Sequence, residues 1–209
     1  MKAPEERRKP SIEKTISKLV AGEKVTIVAF GDSITEGYEV PRGFVDFWEE
    51  ALRRKYPAAL LRMINAGRSG DTTFAAVDRL RHDVITHRPD LVTVQFGIND
   101  CFSTVYRSEF RENLQWLILR IQEEAQAEIA LVTSPVPRNE NDQESLARYY
   151  DVIRFFASEY DLPIVQIDME WKRILRGGGD FDALMLPDGI HPSETGYRQI
   201  SRLFMELFD

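Results

Sequence analysis

At 209 residues, 43% hydrophobic and 29% charged, the chain has the composition of an ordinary soluble protein and the length of one large domain or two small ones. Its formal net charge of −7 argues against a nucleic-acid partner and against an anionic membrane surface, since both require basic density. The single cysteine, Cys101, excludes an intramolecular disulfide. No apolar run approaches the roughly 20 residues of a membrane span. The charged residues 1–10 lack the apolar core of a signal peptide. The expectation is a cytoplasmic protein with no membrane anchor.

Residues 1–10 read as a solvated tail. Ser11 is placed to cap a short helix with an apolar face of Ile12, Ile16, Leu19 and Val20, and Gly22 to end it. Residues 1–22 are therefore expected as a tail and helix packed on one domain spanning 23–209. From residue 25 the pattern alternates. The β-branched run 25–30 reads as a buried strand, followed by a helix over 43–55 with Phe44, Phe47, Trp48, Ala51 and Leu52 on one face. A second strand over 60–64 leads to a helix over 72–87, with Val77, Leu80 and Val84 inward, stopped by Arg88-Pro89. Strand 91–96 precedes the clearest helical stripe, Phe110, Leu114, Leu117, Ile118 and Ile121 over 108–124. Strand 129–133, a helix over 143–160 with Leu146, Tyr150, Ile153 and Ala157, and strand 164–167 follow. A last helix, capped by Ser193, turns Tyr197, Ile200, Phe204 and Leu207 inward.

Strands alternating with helices imply right-handed crossovers and a parallel sheet covered on both faces. The expected fold is a single α/β domain, a three-layer sandwich with five strands. Strand order does not follow from the pattern; the flavodoxin-like 2-1-3-4-5 is the natural expectation. A long connection before the last helix holds Gly177-Gly178-Gly179, long and flexible enough to act as a flap, with a mobile surface turn as the alternative, and ends in Asp188-Gly189-Ile190-His191-Pro192.

Ligands bind at the carboxyl edge of such sheets, and four stretches fall there or on the loop into the last helix. Ser33, in Gly31-Asp32-Ser33, follows the first strand. Gly67, in Asn65-Ala66-Gly67-Arg68-Ser69-Gly70, offers a backbone N–H free of side-chain obstruction after the second. Asn99, in Gly97-Ile98-Asn99-Asp100, follows the third. Asp188 and His191 stand three residues apart before the last helix. Acyl transfer by a serine needs a base for its proton, a partner that holds that base in one tautomer, and donors for the oxyanion. Asp188 can reach the imidazole of His191, whose other nitrogen can face Ser33. The backbone N–H groups of Ser33 and Gly67 and the Asn99 amide can supply the donors.

At these residues the sequence resembles the SGNH hydrolases, the GDSL-type esterases and lipases. That family carries a serine in Gly-Asp-Ser, a glycine, an asparagine in Gly-x-Asn-Asp and a histidine in Asp-x-x-His-Pro. All four blocks occur here in the family's order, and the resemblance runs from about Val25 to the C-terminus. It implies Ser33 as nucleophile, Gly67 and Asn99 as oxyanion donors, Asp188 as orienter and His191 as base. The implied substrate is a small carboxylic ester, such as an acetylated carbohydrate or short-chain acyl ester, with no metal or organic cofactor. A lysophospholipase or thioesterase activity is the alternative within the family. The rival outside it is a non-catalytic, flavodoxin-like anion-binding module built on residues 33–37, which leaves Asp188 and His191 unexplained.

Other residues are weighed against blander roles. Tyr38, Phe102 and Tyr106 are candidates to line an acyl pocket, with core packing as the equal alternative. Asp32 and Asp100 are expected to bond loop backbone, and Arg68 to form a surface ion pair. His82 and His87 are five residues apart and do not share a helical face, so no metal site is expected. Cys101 reads as a small buried side chain.

Overall fold

Parallel strands need crossovers long enough to return to the same edge, and helices fill them here. The computed structural model describes residues 10–103 and 105–209; the tail expected over 1–10 lies outside them except for Pro10. In chain order the elements are α1 (Glu13–Val20), β1 (Lys24–Gly31), α2 (Ser33–Glu36), α3 (Phe44–Lys55), β2 (Leu60–Gly67) and α4 (Thr73–Asp83). Then come β3 (Leu91–Gln95), α5 (Ile98–Phe102), α6 (Arg107–Arg120), β4 (Glu128–Val132), α7 (Glu140–Glu159) and β5 (Ile164–Val165). The chain closes with α8 (Ile167–Arg176), α9 (Phe181–Leu184) and α10 (Glu194–Met205). All strand pairs are parallel and the order is β2-β1-β3-β4-β5, the flavodoxin-like order.

Every residue of β1 after Lys24 is buried. Successive strand residues point to opposite faces, so both faces of the sheet are covered. On one side α3 packs against α10, where Phe44 and Trp48 meet Phe204 at ring-centroid distances of 4.6 and 4.8 Å. Elsewhere α4 packs on α6 and α6 on α7, through the buried stripe of Phe110, Leu114, Leu117 and Ile118 that the sequence shows. Among the described residues no helix is long and apolar enough to cross a membrane.

Several expectations are corrected. Ser11 does not cap α1; its hydroxyl donates to Glu13. The first N–H groups of that helix are instead met from across the fold, because the Glu128 carboxylate accepts from Lys14 N at 3.0 Å and Thr15 N at 2.7 Å. Anionic capping also complements the helix dipole. Ile12 and Leu19 are buried, but Val20 is 70% exposed and lies off the apolar face. The helix expected over 72–87 ends at Asp83 and continues only as a 3₁₀ turn, Ile85–His87, before Arg88 turns left-handed at φ +49°. β2 runs on to Gly67, so Asn65 and Ala66 are strand residues rather than loop. Leu207 is half-buried; a 3₁₀ turn after α10 shifts the phase and buries Phe208 in its place.

The largest correction lies between β5 and α10. β5 is two residues long, and Ile167 opens a helix instead of closing a strand. The expected flexible connection is occupied by α8 and α9. Gly177-Gly178-Gly179 forms the hydrogen-bonded stop of α8: Gly178 stands at φ +86° and Gly179 N donates to Ile174 O at 2.9 Å. A side chain at Gly179 would overlap Ile174. The three glycines form a helix C-terminus.

Candidate active site

β1 delivers Ser33 to the sheet edge. Asp32, in extended conformation, caps the single turn of α2 by accepting from Ile34 N at 2.9 Å, so Ser33 is the first helical residue. Its N–H has no intrahelical partner and no acceptor among the described residues. The turn is tightly seated. A Cβ at Gly31 would overlap the Thr35 hydroxyl, and one at Gly67 would overlap the backbone of Glu36. Glycine at 67 is therefore required so that α2 can lie on the end of β2.

The histidine arrives on a hairpin-like strap. Met185 bridges Pro192, Leu186 N donates to His191 O at 2.7 Å, and Gly189 takes φ +70° in the turn between them. Within the strap, Asp188 Oδ1 accepts from Ile190 N at 2.8 Å and His191 N at 3.0 Å, while Oδ2 meets His191 Nδ1 at 2.7 Å. Partial burial opposes the Asp188 charge, but those backbone donors and the imidazole outweigh it and hold the carboxyl below its ordinary range. On its other side His191 Nε2 lies 2.8 Å from Ser33 Oγ. Ser33 is 4% exposed, and the imidazole is largely enclosed. The structure thus joins Ser33, His191 and Asp188 in one line, although Ser33 and His191 are 158 positions apart in the sequence.

Of the three candidate pocket aromatics, Tyr38 reaches this line: its ring lies against the His191 imidazole, 4.2 Å between centroids and tilted by 30°. Tyr106 is 74% exposed and its N–H bonds Glu109 at the start of α6. Phe102 is 40% exposed at the end of α5.

The N–H expected to be free at Gly67 is taken. It donates to Asn65 Oδ1 at 2.9 Å, a short-range side-chain-to-backbone bond of the kind asparagine makes readily. Three residues on, Gly70 presents the opposite picture. It stands at φ +81° with nothing within 4 Å of a Cβ position, and its N–H has no acceptor among the described residues. Its neighbours are fixed on both sides: Ser69 N donates to Glu36 Oε2 at 2.6 Å, and Asp71 O accepts from Asn99 Nδ2 at 3.0 Å. Asn99 keeps its second amide hydrogen for another acceptor.

Two further carboxylates sit close by. Burial pushes Asp32 up to about 7, against hydrogen bonds from Ile34 N and Gln95 that favour its charge. Burial likewise raises Asp100, whose Oδ1 accepts from Thr73 N at 3.0 Å and from the Thr73 hydroxyl. Both tie loops to the frame. Arg68 pairs with Asp83 at 3.4 Å and is well exposed. Cys101 is half-buried, and burial pushes its thiol up. His82 bonds Asp83, and among the described residues no group of three or more His, Cys, Asp or Glu could hold a metal ion. A cavity of about 950 Å³ opens beside β5, lined by Ile16, Ile164, Met169 and Leu203 among others; Ser33, Asp188 and His191 do not line it.

Sequence reasoning passes over Arg79, Asp71, Gln95 and Glu36, which brace these loops. For Arg79 a signal exists: it occurs with Ala76, Leu80 and Asp83 at i, i+3, i+4 and i+7, a charged residue on an inward stripe.

Residues 29–199 match the model of the GDSL-like Lipase/Acylhydrolase family. The chain is 27% identical over 211 residues to an acetylxylan esterase of Geobacillus stearothermophilus, across 90% of this chain and 94% of that protein. It is 28% identical to an arylesterase of Vibrio mimicus, across 82% and 81% of the two chains. The fold superposes on a crystal structure of the Geobacillus stearothermophilus acetylxylan esterase with a TM-score of 0.78, at 25% identity over 88% of this chain and 94% of that one.

Proposed function

From the premise that the chain belongs to the GDSL-like lipase/acylhydrolase family and is a carboxylic ester hydrolase, we propose a serine esterase that works through an acyl-enzyme, with acetylated sugars and other small esters as substrates. One observation carries the reading: Ser33 Oγ, His191 and Asp188 are linked in order by contacts of 2.8 and 2.7 Å. The ionised Asp188 accepts the Nδ1 proton of His191 and so leaves the Nε2 lone pair facing Ser33. As Ser33 Oγ bonds to the ester carbonyl carbon, its proton passes to Nε2. The carbonyl π electrons move to oxygen, where an oxyanion forms. Its donors in this reading are the Ser33 N–H, the second Asn99 amide hydrogen and the Gly70 N–H. Gly70 replaces Gly67 because the Gly67 N–H is already engaged by Asn65. Collapse expels the alcohol, which takes the proton from His191, and water repeats the cycle to release the acid. In this reading Tyr38, set against the imidazole at 4.2 Å between ring centroids, helps to hold that ring in place. An anion-binding module would give the aligned Asp188–His191 pair no task.

The test is Ser33→Ala with p-nitrophenyl acetate and a fluorophosphonate probe. The variant should fold, lose ester turnover and take no label, while wild type is labelled at Ser33 alone. Label on Ser69 or Ser193, or turnover that survives in the variant, would overturn the assignment.

A further inference from the structure

We propose that Arg79 is the positioning residue of the oxyanion site, a role that rests on the reading of Ser33 as nucleophile. Arg79 lies on α4 between the buried Ala76 and Leu80 and is itself 7% exposed. A guanidinium keeps its charge in proteins, so a buried one needs both counter-charge and acceptors for its N–H groups. Arg79 has them. Nε donates to Asp71 Oδ2 at 2.5 Å, Nη1 to Ala66 O at 2.8 Å and to Asp83 Oδ2 at 3.0 Å, and Nη2 to Gly31 O at 2.8 Å. The guanidinium carbon lies 4.4 Å from the Phe30 ring centroid.

The acceptors share a purpose. Gly31 closes β1, two residues before Ser33. Ala66 precedes Gly67, and Gly31 pairs with Gly67 in the last rung of the β1–β2 ladder. The Gly31 carbonyl also accepts from Arg68 N at 3.0 Å, so the arginine doubles the final link between the two strands. Asp71 follows Gly70 directly, and its own carbonyl accepts from Asn99. One rigid, planar group therefore fixes the ends of both strands and the turn at 68–71 relative to one another. Two of the proposed oxyanion donors, the Ser33 N–H and the Gly70 N–H, follow directly on those pieces, and the third, the Asn99 amide on α5, is tied to them through Asp71 O. A lysine could balance Asp71 and Asp83 but could not reproduce the fork. The stake is geometric. Oxyanion donors act only at the position the developing charge will occupy, and an arginine that only held the fold would not affect turnover per folded site.

The experiment compares wild type, Arg79→Lys and Asp71→Asn. Active sites are counted by fluorophosphonate titration carried to completion, so that unfolded protein drops out. For Arg79→Lys, kcat on p-nitrophenyl acetate per titrated site should fall about 10- to 100-fold with KM within about threefold, the pattern of a contact made only in the transition state. Affinity for phenylboronic acid, which forms a tetrahedral adduct with a serine, should fall by a similar factor. The pH profile of kcat/KM should keep its wild-type shape, because Asp188 and His191 are carried by a different loop. Asp71→Asn keeps the side chain's shape and tests the same tether if the lysine variant does not fold; it too should lower kcat with KM held. Wild-type kcat per titrated site in the folded variants overturns the inference alone. Turnover by Ser33→Ala overturns the reading and the inference together.

Discussion

Ser33 sits between two carboxylates whose protonation is perturbed in opposite directions, and the difference is one of solvation. Asp188, on a partly exposed strap, collects two backbone N–H groups and an imidazole and is held below its ordinary range. Its charge is therefore present throughout the neutral range, as the orienting role proposed for it beside His191 requires. Asp32 is fully enclosed, and burial raises it to about 7. This sets a pH dependence of stability with a definite sign. Below the unfolded-state value of about 3.9 both states hold the proton. Between there and about 7 the unfolded chain loses it and the folded one keeps it, so this group alone makes stability fall by up to about 1.4 kcal/mol per pH unit. Above that window the penalty is constant. Asp32→Asn should fold, because the surrounding network can reverse. The new amide oxygen still accepts from Ile34 N–H, and a flipped Gln95 amide can accept from the new amide nitrogen. The Thr35 and Ser134 hydroxyls, now 2.7 and 2.8 Å from the Gln95 amide, then exchange donor and acceptor roles. Urea unfolding from pH 4.5 to 8 should show the variant gaining on wild type as pH rises to 7. Parallel stability curves would mean Asp32 is ionised in the folded protein across the whole range.

Among the elements, the ones legible in the sequence are those whose periodicity matches their burial. Phe110, Leu114, Leu117 and Ile118 recur at helical spacing and are all buried, and 25–30 is β-branched on both faces because both faces are covered. The end of β5 is illegible for a physical reason. Residues 164–167 are a run of four, and so short a run has no period to separate strand from helix. The longer signal lies downstream, in Ile167, Trp171 and Ile174 at i, i+4 and i+7. The cap of α1 is illegible because Glu128 supplies it from more than a hundred residues away, where no local pattern shows it. Gly67 is legible as necessary but not for the right cause: its missing side chain makes room for α2, and its N–H is occupied. The element that the sequence hides braces the strap that carries His191. Trp171 on α8 is fully buried, and its indole N–H points at Met185 Sδ, 3.1 Å away, beside the Met185–Pro192 bridge next to His191. Trp171→Ala should destabilise the protein by about 3–5 kcal/mol, as large-to-small changes in a packed core do, and Trp171→Phe should recover most of that loss. An alanine variant with a wild-type urea midpoint would show that α8 lies loosely on the fold.

At the scale of the molecule, the crossovers bring Ser33, Asn99 and the Asp188–His191 strap to one edge of the sheet, and that convergence also bounds the substrate. The connections leaving β1 and β3 are wound into the single turns of α2 and α5, and the loop after β2 is pinned through Ser69 and Asp71. The Gly177-Gly178-Gly179 stretch, the candidate flap, is the stop of α8. The cavity of about 950 Å³ beside β5 is lined by residues of α1, α8 and the chain end, at the far edge of the sheet from β2. Ser33, Asp188 and His191 do not line it. Each methylene that the site does bury should contribute about 0.8 kcal/mol, roughly fourfold in kcat/KM, and the gain should cease where enclosure ends. Activity on p-nitrophenyl esters should therefore be highest from acetyl to butyryl and fall steeply by eight carbons. A series from two to twelve carbons decides it: kcat/KM still climbing at eight would require a long apolar groove leading from Ser33 and would move the enzyme toward lipid-derived esters.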